Sequence, residues 1–306
     1  MKTPLSIRLI LGLAIALLTA CGTQPEQSHI IEKYTDSASR FIDIQGNRIH
    51  YKDEGSGEVL VLIHGTASSL HTWDQWQQSL SKQFRVIRMD LPGFGLTGPD
   101  KLHRYEIADD IAFLKALLIA LNINEAHLIG NSLGGRIAWQ YALEFPEEVK
   151  TLTLMNALGY PQASWPPAIQ LAMLPGMETL MPIFSSRFIF SQSLKDIYYD
   201  RGLITDKTID RYFELSLVAG NTEAFPKRVK AKLDDQSAAI QHIRVPTLIL
   251  WGKEDQYFPV ANAEKFAADI PDAQIKPYEH VGHLPMEEIP NQSSADLLSF
   301  LQAQSD

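Results

Sequence analysis

Residues 126–136, AHLIGNSLGGR, decide the fold of this chain. The apolar start of this stretch predicts a buried strand, and the residues from Arg136 onward have the pattern of a helix. The Gly-x-Ser-x-Gly between them is typical of a tight strand-to-helix turn, where glycines avoid collisions with neighbouring backbone. The pattern therefore predicts that Ser132 is a nucleophile presented at the end of a strand.

A serine hydroxyl is a weak nucleophile, so it needs a base within hydrogen-bond reach and a carboxylate that orients the base. The apolar run 246–251 predicts a strand, and Asp255 follows it in a loop. The run 274–278 predicts the last strand, and His283 follows it before a helix that begins near residue 287 or 288. We therefore predict Asp255 as the acid and His283 as the base.

Each of these two predictions has a competitor. Glu254 could serve as the acid, and Asp255 could merely cap the next helix, but Asp255 lies further beyond the strand. His280 and His64 compete for the base, but only His283 follows a glycine in the final strand-to-helix loop. We expect His280 to be a loop residue and His64 to be a structural hydrogen-bond partner.

Two backbone N–H groups are needed where negative charge develops on the substrate oxygen. Leu133, directly after the serine, is predicted to supply one of them. The strand-like run 59–63 ends in His64-Gly65-Thr66, which lets the chain turn back over the sheet, and Thr66 is predicted to supply the other. We expect Asp90, after the fourth strand, to stabilise its loop by hydrogen bonding.

Together these motifs resemble the α/β-hydrolase superfamily from Phe41 to the C-terminus, with the nucleophile, acid and histidine in the same chain order. The resemblance rests on His64-Gly65-Thr66, on Asp90-Leu91-Pro92-Gly93-Phe94-Gly95, on the turn at Ser132, and on Asp255 with Gly282-His283. It implies the α/β fold class, with a mainly parallel, doubly wound sheet and a helical cap insertion. The site would then lie at the carboxyl ends of the strands.

Within this superfamily, haloalkane dehalogenases and epoxide hydrolases carry an aspartate where this chain has Ser132. The serine turn is similar to that of meta-cleavage-product C–C hydrolases, but those usually have a tryptophan after the histidine, where this chain has Leu284. This departure favours carboxylic esters cleaved through an acyl-enzyme. C–C hydrolysis and a non-enzymatic ligand receptor on the same fold remain alternatives, and no cofactor or metal is implied.

The rest of the chain is consistent with alternating strands and helices. Residues 41–45 and 48–52 flank Gly46-Asn47 and predict a hairpin, and helical patterns follow at 70–80, 105–121 and 133–145. About 80 residues, 158–240, are inserted between the strand at 151–156 and the next one, which predicts a cap rich in Met and aromatic residues. The predicted organisation is a signal peptide (1–20), a flexible tether (21–40), a first segment of the hydrolase core (41–157), the helical cap (158–240) and a second segment of the core (241–306).

The N-terminus has the layout of an export signal. Lys2 and Arg8 precede the apolar run 9–20, which at twelve residues is shorter than the roughly 20 needed to span a bilayer. Leu18-Thr19-Ala20-Cys21 resembles a bacterial lipobox, in which the cysteine is lipidated, and Cys21 is the only cysteine. We therefore expect an exported domain that is lipid-anchored through Cys21 to a bacterial membrane, at the outer membrane or cell surface.

The composition, with 45% hydrophobic and 21% charged residues, predicts one large globular domain. The formal net charge is −9, and removal of Lys2 and Arg8 with the signal changes −9 to −11. An acidic chain without a basic cluster is a poor candidate for binding nucleic acid or anionic lipid by charge. The expected partners are therefore a small-molecule ester and the membrane that the lipid anchor reaches, and no protein partner is evident.

Overall fold

A computed structural model of the chain describes residues 26–305. One sheet contains all the strands of this region of the chain: β1 (Ser39–Ile44), β2 (Asn47–Gly55), β3 (Val59–Ile63), β4 (Arg85–Met89), β5 (Ala126–Asn131), β6 (Val149–Met155), β7 (Thr247–Gly252) and β8 (Gln274–Tyr278). Their order is β1-β2-β4-β3-β5-β6-β7-β8. Strand β2 runs antiparallel to β1 and β4, and the pairs from β4 to β8 are parallel.

Helices cover both faces of this sheet. In the described region of the chain they are α1 (Gln27–Tyr34), α2 (Asp74–Leu80), α3 (Ile107–Ala120), α4 (Leu133–Glu144), α5 (Pro167–Met173), α6 (Met177–Phe184), α7 (Arg187–Ile197), α8 (Asp206–Ser216), α9 (Asn221–Val229), α10 (Ala261–Asp269), α11 (Pro285–Glu288) and α12 (Pro290–Ser305). Every residue of β5 and β7 is buried, as expected of central strands covered on both faces. The predicted fold class, an α/β-hydrolase fold with a mainly parallel doubly wound sheet, is confirmed.

The sheet brings the loops that carry the predicted site residues to one edge. Parallel strands β3, β5, β7 and β8 end at this edge, and the loops after them carry Thr66, Ser132, Asp255 and His283. The interval 158–240 contains helices α5 to α9 and no strand. It connects β6 to β7, which are neighbours in the sheet, so the inserted helices leave and re-enter the sheet beside the site.

The prediction of a flexible tether over residues 21–40 is wrong for residues 27–34, which form helix α1. Ile30 and Tyr34, one helical turn apart, are buried against Leu215 and Leu217 of the inserted helices. The helix has only two buried positions among polar residues, so its sequence shows little periodicity. Cys21, the predicted signal peptide and the beginning of the tether lie outside the described residues.

Between residues 26 and 305, none of the helices has both the length and the apolar character that crossing a bilayer requires.

Candidate active site

The turn at Ser132 is strained in the way that the sequence indicated. Ser132 has φ 54° and ψ −116°, outside the regions that side chains normally adopt. A Cβ on Gly130 would lie 2.2 Å from the carbonyl oxygen of Gly134, and a Cβ on Gly134 would lie 2.2 Å from that of Ile63. Only glycines therefore allow β5 to turn so sharply into α4, and the surrounding backbone stabilises the strained serine.

His283 and Asp255 form a hydrogen-bonded pair. The Nδ1 atom of His283 lies 2.8 Å from Oδ2 of Asp255. The same carboxylate accepts hydrogen bonds from the side-chain amide of Asn156 at 2.7 Å and from the backbone N–H of Tyr257 at 2.7 Å. Both members of the pair are buried. The pair can fix the tautomer in which Nε2 of His283 is free to accept a proton.

Ser132 and His283 line the same cavity, of about 250 Å³, at the carboxyl-terminal edge of the sheet. Thr66 and Leu133, the predicted oxyanion donors, line it as well. Leu133 is the first residue of α4, so its N–H has no partner within the helix and is available to a substrate oxygen. The structure thus brings all five predicted site residues of the described chain, which include Asp255 behind His283, to one place.

The competing residues have other surroundings. The Glu254 carboxylate accepts a hydrogen bond from the backbone N–H of Val281 at 3.0 Å, so it supports the loop before His283. The side chain of His280 is 75% exposed and stacks on Tyr199. Neither residue is among those that line the cavity.

His64 is fully buried beneath the loop that carries Thr66. Its Nδ1 donates to the carbonyl oxygen of Gly65 at 2.7 Å, and its Nε2 accepts from the backbone N–H of Leu91 at 3.0 Å. Burial lowers the pKa of His64 to about 4, so the ring is neutral at neutral pH. Its two bonds therefore tie together the loops after β3 and β4.

Asp90 makes the loop contacts that its position after β4 indicated. Its carboxylate accepts from the backbone N–H groups of Leu70 and Leu96 at 2.7 and 2.8 Å, and it lies 2.8 Å from Nδ1 of His50. Burial alone would raise the pKa of Asp90, but these hydrogen bonds outweigh it and hold the pKa at about 2. The residue is an ionised loop support away from the cavity.

Two asparagines that sequence reasoning missed hold the site together. Asn156 follows β6 with φ 43°, and its amide donates to Asp255. Asn131 ends β5, and its amide donates to the carbonyl oxygen of His283 at 3.1 Å. The only available signal was position: Asn131 lies directly before Ser132, and Asn156 follows β6, which lies between β5 and β7 in the sheet.

Glu288, near the predicted start of a helix, holds the loop of His283 in place. Its two carboxylate oxygens accept from the backbone N–H groups of Gly282 at 2.9 Å and Tyr199 at 2.8 Å. Burial raises the pKa of Glu288 to about 7, against the opposing effect of these hydrogen bonds. The loop that carries the predicted base is thus attached to the inserted helices through a carboxyl group that titrates near neutrality.

The cations that line the cavity within residues 26–305 are Arg211 and Arg228, and both are paired. Arg211 lies 2.5 Å from Glu287, whose carboxylate also accepts from the hydroxyls of Thr72, Tyr198 and Tyr212. Arg228 lies 2.8 Å from Asp110. Sequence could not show these pairs, because the partners are separated by 76 and 118 residues.

The rest of the lining is mostly apolar and comes largely from the inserted helices. Of the eight Met and aromatic residues between positions 160 and 190 of the predicted cap, six line the cavity: Trp165, Met173, Met177, Met181, Phe184 and Phe190. Tyr160 instead packs on Phe266 in the core, and Phe188 is exposed to solvent. Over residues 26–305, no group of three or more His, Cys, Asp or Glu side chains is arranged to hold a metal ion.

Fold and site together define a hydrolase. The chain belongs to the α/β-hydrolase fold family, whose model matches residues 58–188 and 206–290. It is 27% identical over 262 residues to the 2-hydroxy-6-oxo-6-phenylhexa-2,4-dienoate hydrolase of Burkholderia cepacia, covering 81% of this chain and 90% of that protein.

Solved structures give two further likenesses. The meta-cleavage product hydrolase of Pseudomonas fluorescens IP01 is 27% identical, with a TM-score of 0.74, over 86% of this chain and 97% of that one. A candidate lipase from Acinetobacter baumannii is 26% identical, with a TM-score of 0.78, over 94% of this chain and 99% of that one.

Proposed function

We propose that this hydrolase cleaves carboxylic esters with apolar acyl groups through an acyl-enzyme on Ser132. In the proposed reaction His283 takes the Ser132 proton while the serine oxygen attacks the ester carbonyl, and the N–H groups of Leu133 and Thr66 hold the oxyanion. His283 then protonates the leaving alcohol. Water, deprotonated by the same histidine, releases the acid and restores Ser132, while Asp255 holds the ring.

The observation that carries this proposal is the charge compensation of the cavity. Arg211 is neutralised by Glu287 and Arg228 by Asp110, so the apolar lining offers no uncompensated cation to an anionic substrate. Burying a carboxylate without such a partner is costly. An uncharged ester with an apolar acyl group has no such cost.

Hydrolysis of a C–C bond by the same residues is the second candidate. The names of the relatives favour it over ester hydrolysis, since they act on 2-hydroxy-6-oxo dienoates or are meta-cleavage product hydrolases. One feature of the cavity also fits an acidic substrate, because Nε and Nη1 of Arg228 are buried without a hydrogen-bond partner. The candidate lipase from Acinetobacter baumannii, in contrast, agrees with ester chemistry.

One pair of assays on the same purified protein separates the two reactions. The first follows 4-nitrophenyl esters from acetate to palmitate, and the second follows loss of the coloured 2-hydroxy-6-oxo-6-phenylhexa-2,4-dienoate, each with Ser132→Ala as control. Ester turnover with a preferred chain length, absent in the control, supports the proposal. Dienoate turnover with ester rates at the control level would replace it with C–C hydrolysis, and ligand binding without any turnover would indicate a receptor.

We also infer that the chain is exported and lipid-anchored at Cys21, on the basis of the basic and apolar segments before this cysteine. Expression in a bacterium fed an alkyne-labelled fatty acid tests this inference. The wild-type chain should carry the label and fractionate with membranes, whereas Cys21→Ala should not carry it. An unlabelled wild-type chain would contradict the inference.

A further inference from the structure

Large apolar side chains are exposed on one region of the surface, which we name the cap face: the exposed apolar residues of segment 171–189. Eight of the fourteen large hydrophobic side chains exposed in the described chain lie in this segment. The most exposed are Phe188 at 71%, Phe184 at 61% and Ile183 at 60%. A concentration of this kind marks a contact surface, whereas single exposed apolar residues are ordinary.

Substrate binding explains the apolar character of only some residues of the cap face. Leu171, Phe184 and Ile189 are exposed and also line the cavity that contains Ser132. Ile183 and Phe188 are exposed but do not line it. The cap face therefore continues from the mouth of the cavity onto the outer surface of α6 and α7, beyond the reach of a bound substrate.

The charge of the cap face limits what can cover it. Residues 171–190 contain one acidic and one basic side chain, Glu178 and Arg187. Glu178 pairs with Lys230, and Arg187 pairs with acidic residues of α8. An uncharged apolar surface fits a neutral lipid layer, into which such side chains insert, and has no attraction for a charged partner.

The number of residues between Cys21 and the described part of the chain points to the same occupant. Helix α1 packs on α8 through Ile30 and Tyr34, and Gln27 bonds to the carbonyl oxygen of Leu217. Helix α8 in turn packs on α7, which carries Phe188. Cys21 is five residues before residue 26, so an anchor there would reach at most about 18 Å from this corner of the cap.

We propose that the cap face docks on a zwitterionic lipid bilayer, with Ile183 and Phe188 inserted among the acyl chains. A rigid protein on this face would close the cavity mouth, whereas a fluid lipid layer leaves it open to apolar molecules dissolved in that layer. The docking depends only on the surface residues and is independent of which bond is cleaved at Ser132.

Site-specific fluorescence tests the proposal in the full chain. Cys21→Ser removes the only native cysteine, and an environment-sensitive NBD label is attached at Phe188→Cys or, as control, at Ile119→Cys. Ile119 is 63% exposed near the end of α3, which leads to the amino end of β5, at the opposite edge of the sheet. On phosphatidylcholine vesicles, the label at 188 should shift to the blue and be quenched by doxyl lipid, and the label at 119 should do neither.

Three results would overturn the proposal. In the first, the protein floats with the vesicles but the labels at 188 and 119 behave alike. In the second, the protein does not float with the vesicles. In the third, the emission of the label at 188 shifts with protein concentration in the absence of vesicles. The last result would indicate that a second copy of the chain covers the cap face.

A variant supplies an independent measurement. Ile183→Ser with Phe188→Ser should weaken partition to phosphatidylcholine vesicles at least about tenfold, because two large apolar side chains no longer leave water. Ile119→Ser should leave partition unchanged. The N-terminal segment contributes equally to the partition of all chains compared. The ratio of the partition coefficients of variant and wild type therefore reports on the cap face alone. Equal partition of the two variants, with both folded by circular dichroism, would contradict the docking.

Discussion

Replacing Glu288 by Gln should remove one component of the pH dependence of stability. The folded-state pKa of Glu288 is raised from 4.5 to about 7 by burial. Between these two pH values the folded chain holds the proton and the unfolded chain releases it. Rising pH therefore favours unfolding, so the stabilising effect of the neutral carboxyl is present at low pH and is lost as the pH rises through 7.

The magnitude follows from the two pKa values. A pKa difference of about 2.5 corresponds to about 3 kcal/mol in the free energy of unfolding, since each unit is worth about 1.4 kcal/mol. Most of this change falls between pH 5 and pH 8. The amide of Gln cannot ionise, so the wild-type advantage over Glu288→Gln should shrink by most of this amount across that range.

Urea unfolding of both chains at several pH values measures the effect. The Gln side chain has one acceptor fewer for the N–H groups of Gly282 and Tyr199, which lowers the stability of the variant by the same amount at every pH. The test is therefore how the difference in unfolding free energy between the two chains changes with pH. Other titrating groups are common to both chains and cancel from this difference. Glu147→Gln, at an exposed glutamate, is the matched control and should give a flat difference. A flat difference for Glu288→Gln, or one that rises with pH, would refute the reasoning.

Three more substitutions test the site and its support. Asp255→Asn should slow hydrolysis about 10⁴-fold because His283 would take the wrong tautomer, whereas Glu254→Gln should stay within a few-fold; a larger loss in Glu254→Gln than in Asp255→Asn would favour Glu254 as the acid. Gly134→Ala should lower the urea midpoint sharply, because its Cβ would lie 2.2 Å from the carbonyl oxygen at the end of β3; an unchanged midpoint would show that the turn can relax. Arg228→Leu should cost about 3–5 kcal/mol in urea unfolding by leaving Asp110 buried and unpaired, and adding Asp110→Leu should recover some of that loss; an undiminished cost in the double variant would contradict this pairing argument.

The fold and the placement of the predicted site followed from local patterns. The glycines around Ser132 specify a turn that few sequences allow. Ser132 and Asp255 lie shortly after apolar runs, and His283 lies in the loop after the short strand at 274–278. Parallel strands then bring these loops to one edge, although they are up to 151 residues apart in the chain, from Ser132 to His283. These features depend on residues that are close together in the sequence, so they can be predicted without a structure.

The remaining features depend on contacts between distant residues. Helix α1 has too few apolar positions to show a helical pattern, and it is stabilised by burial against Leu215 and Leu217. The pairing of Arg211 with Glu287, one of the two pairs that compensate the charge of the cavity, joins a cap helix to helix α11. No local pattern links such partners, and the choice between an ester and a C–C bond depends on them.

The most direct test of the central claim, that Ser132 is the activated nucleophile, is mass spectrometry of the protein after reaction with a fluorophosphonate. This reagent phosphonylates an activated serine with loss of fluoride, whichever substrate the enzyme uses. We predict one adduct per chain, mapped to the peptide that contains Ser132 and absent from Ser132→Ala. An adduct on another residue, or a folded wild-type chain that forms none, would contradict the claim.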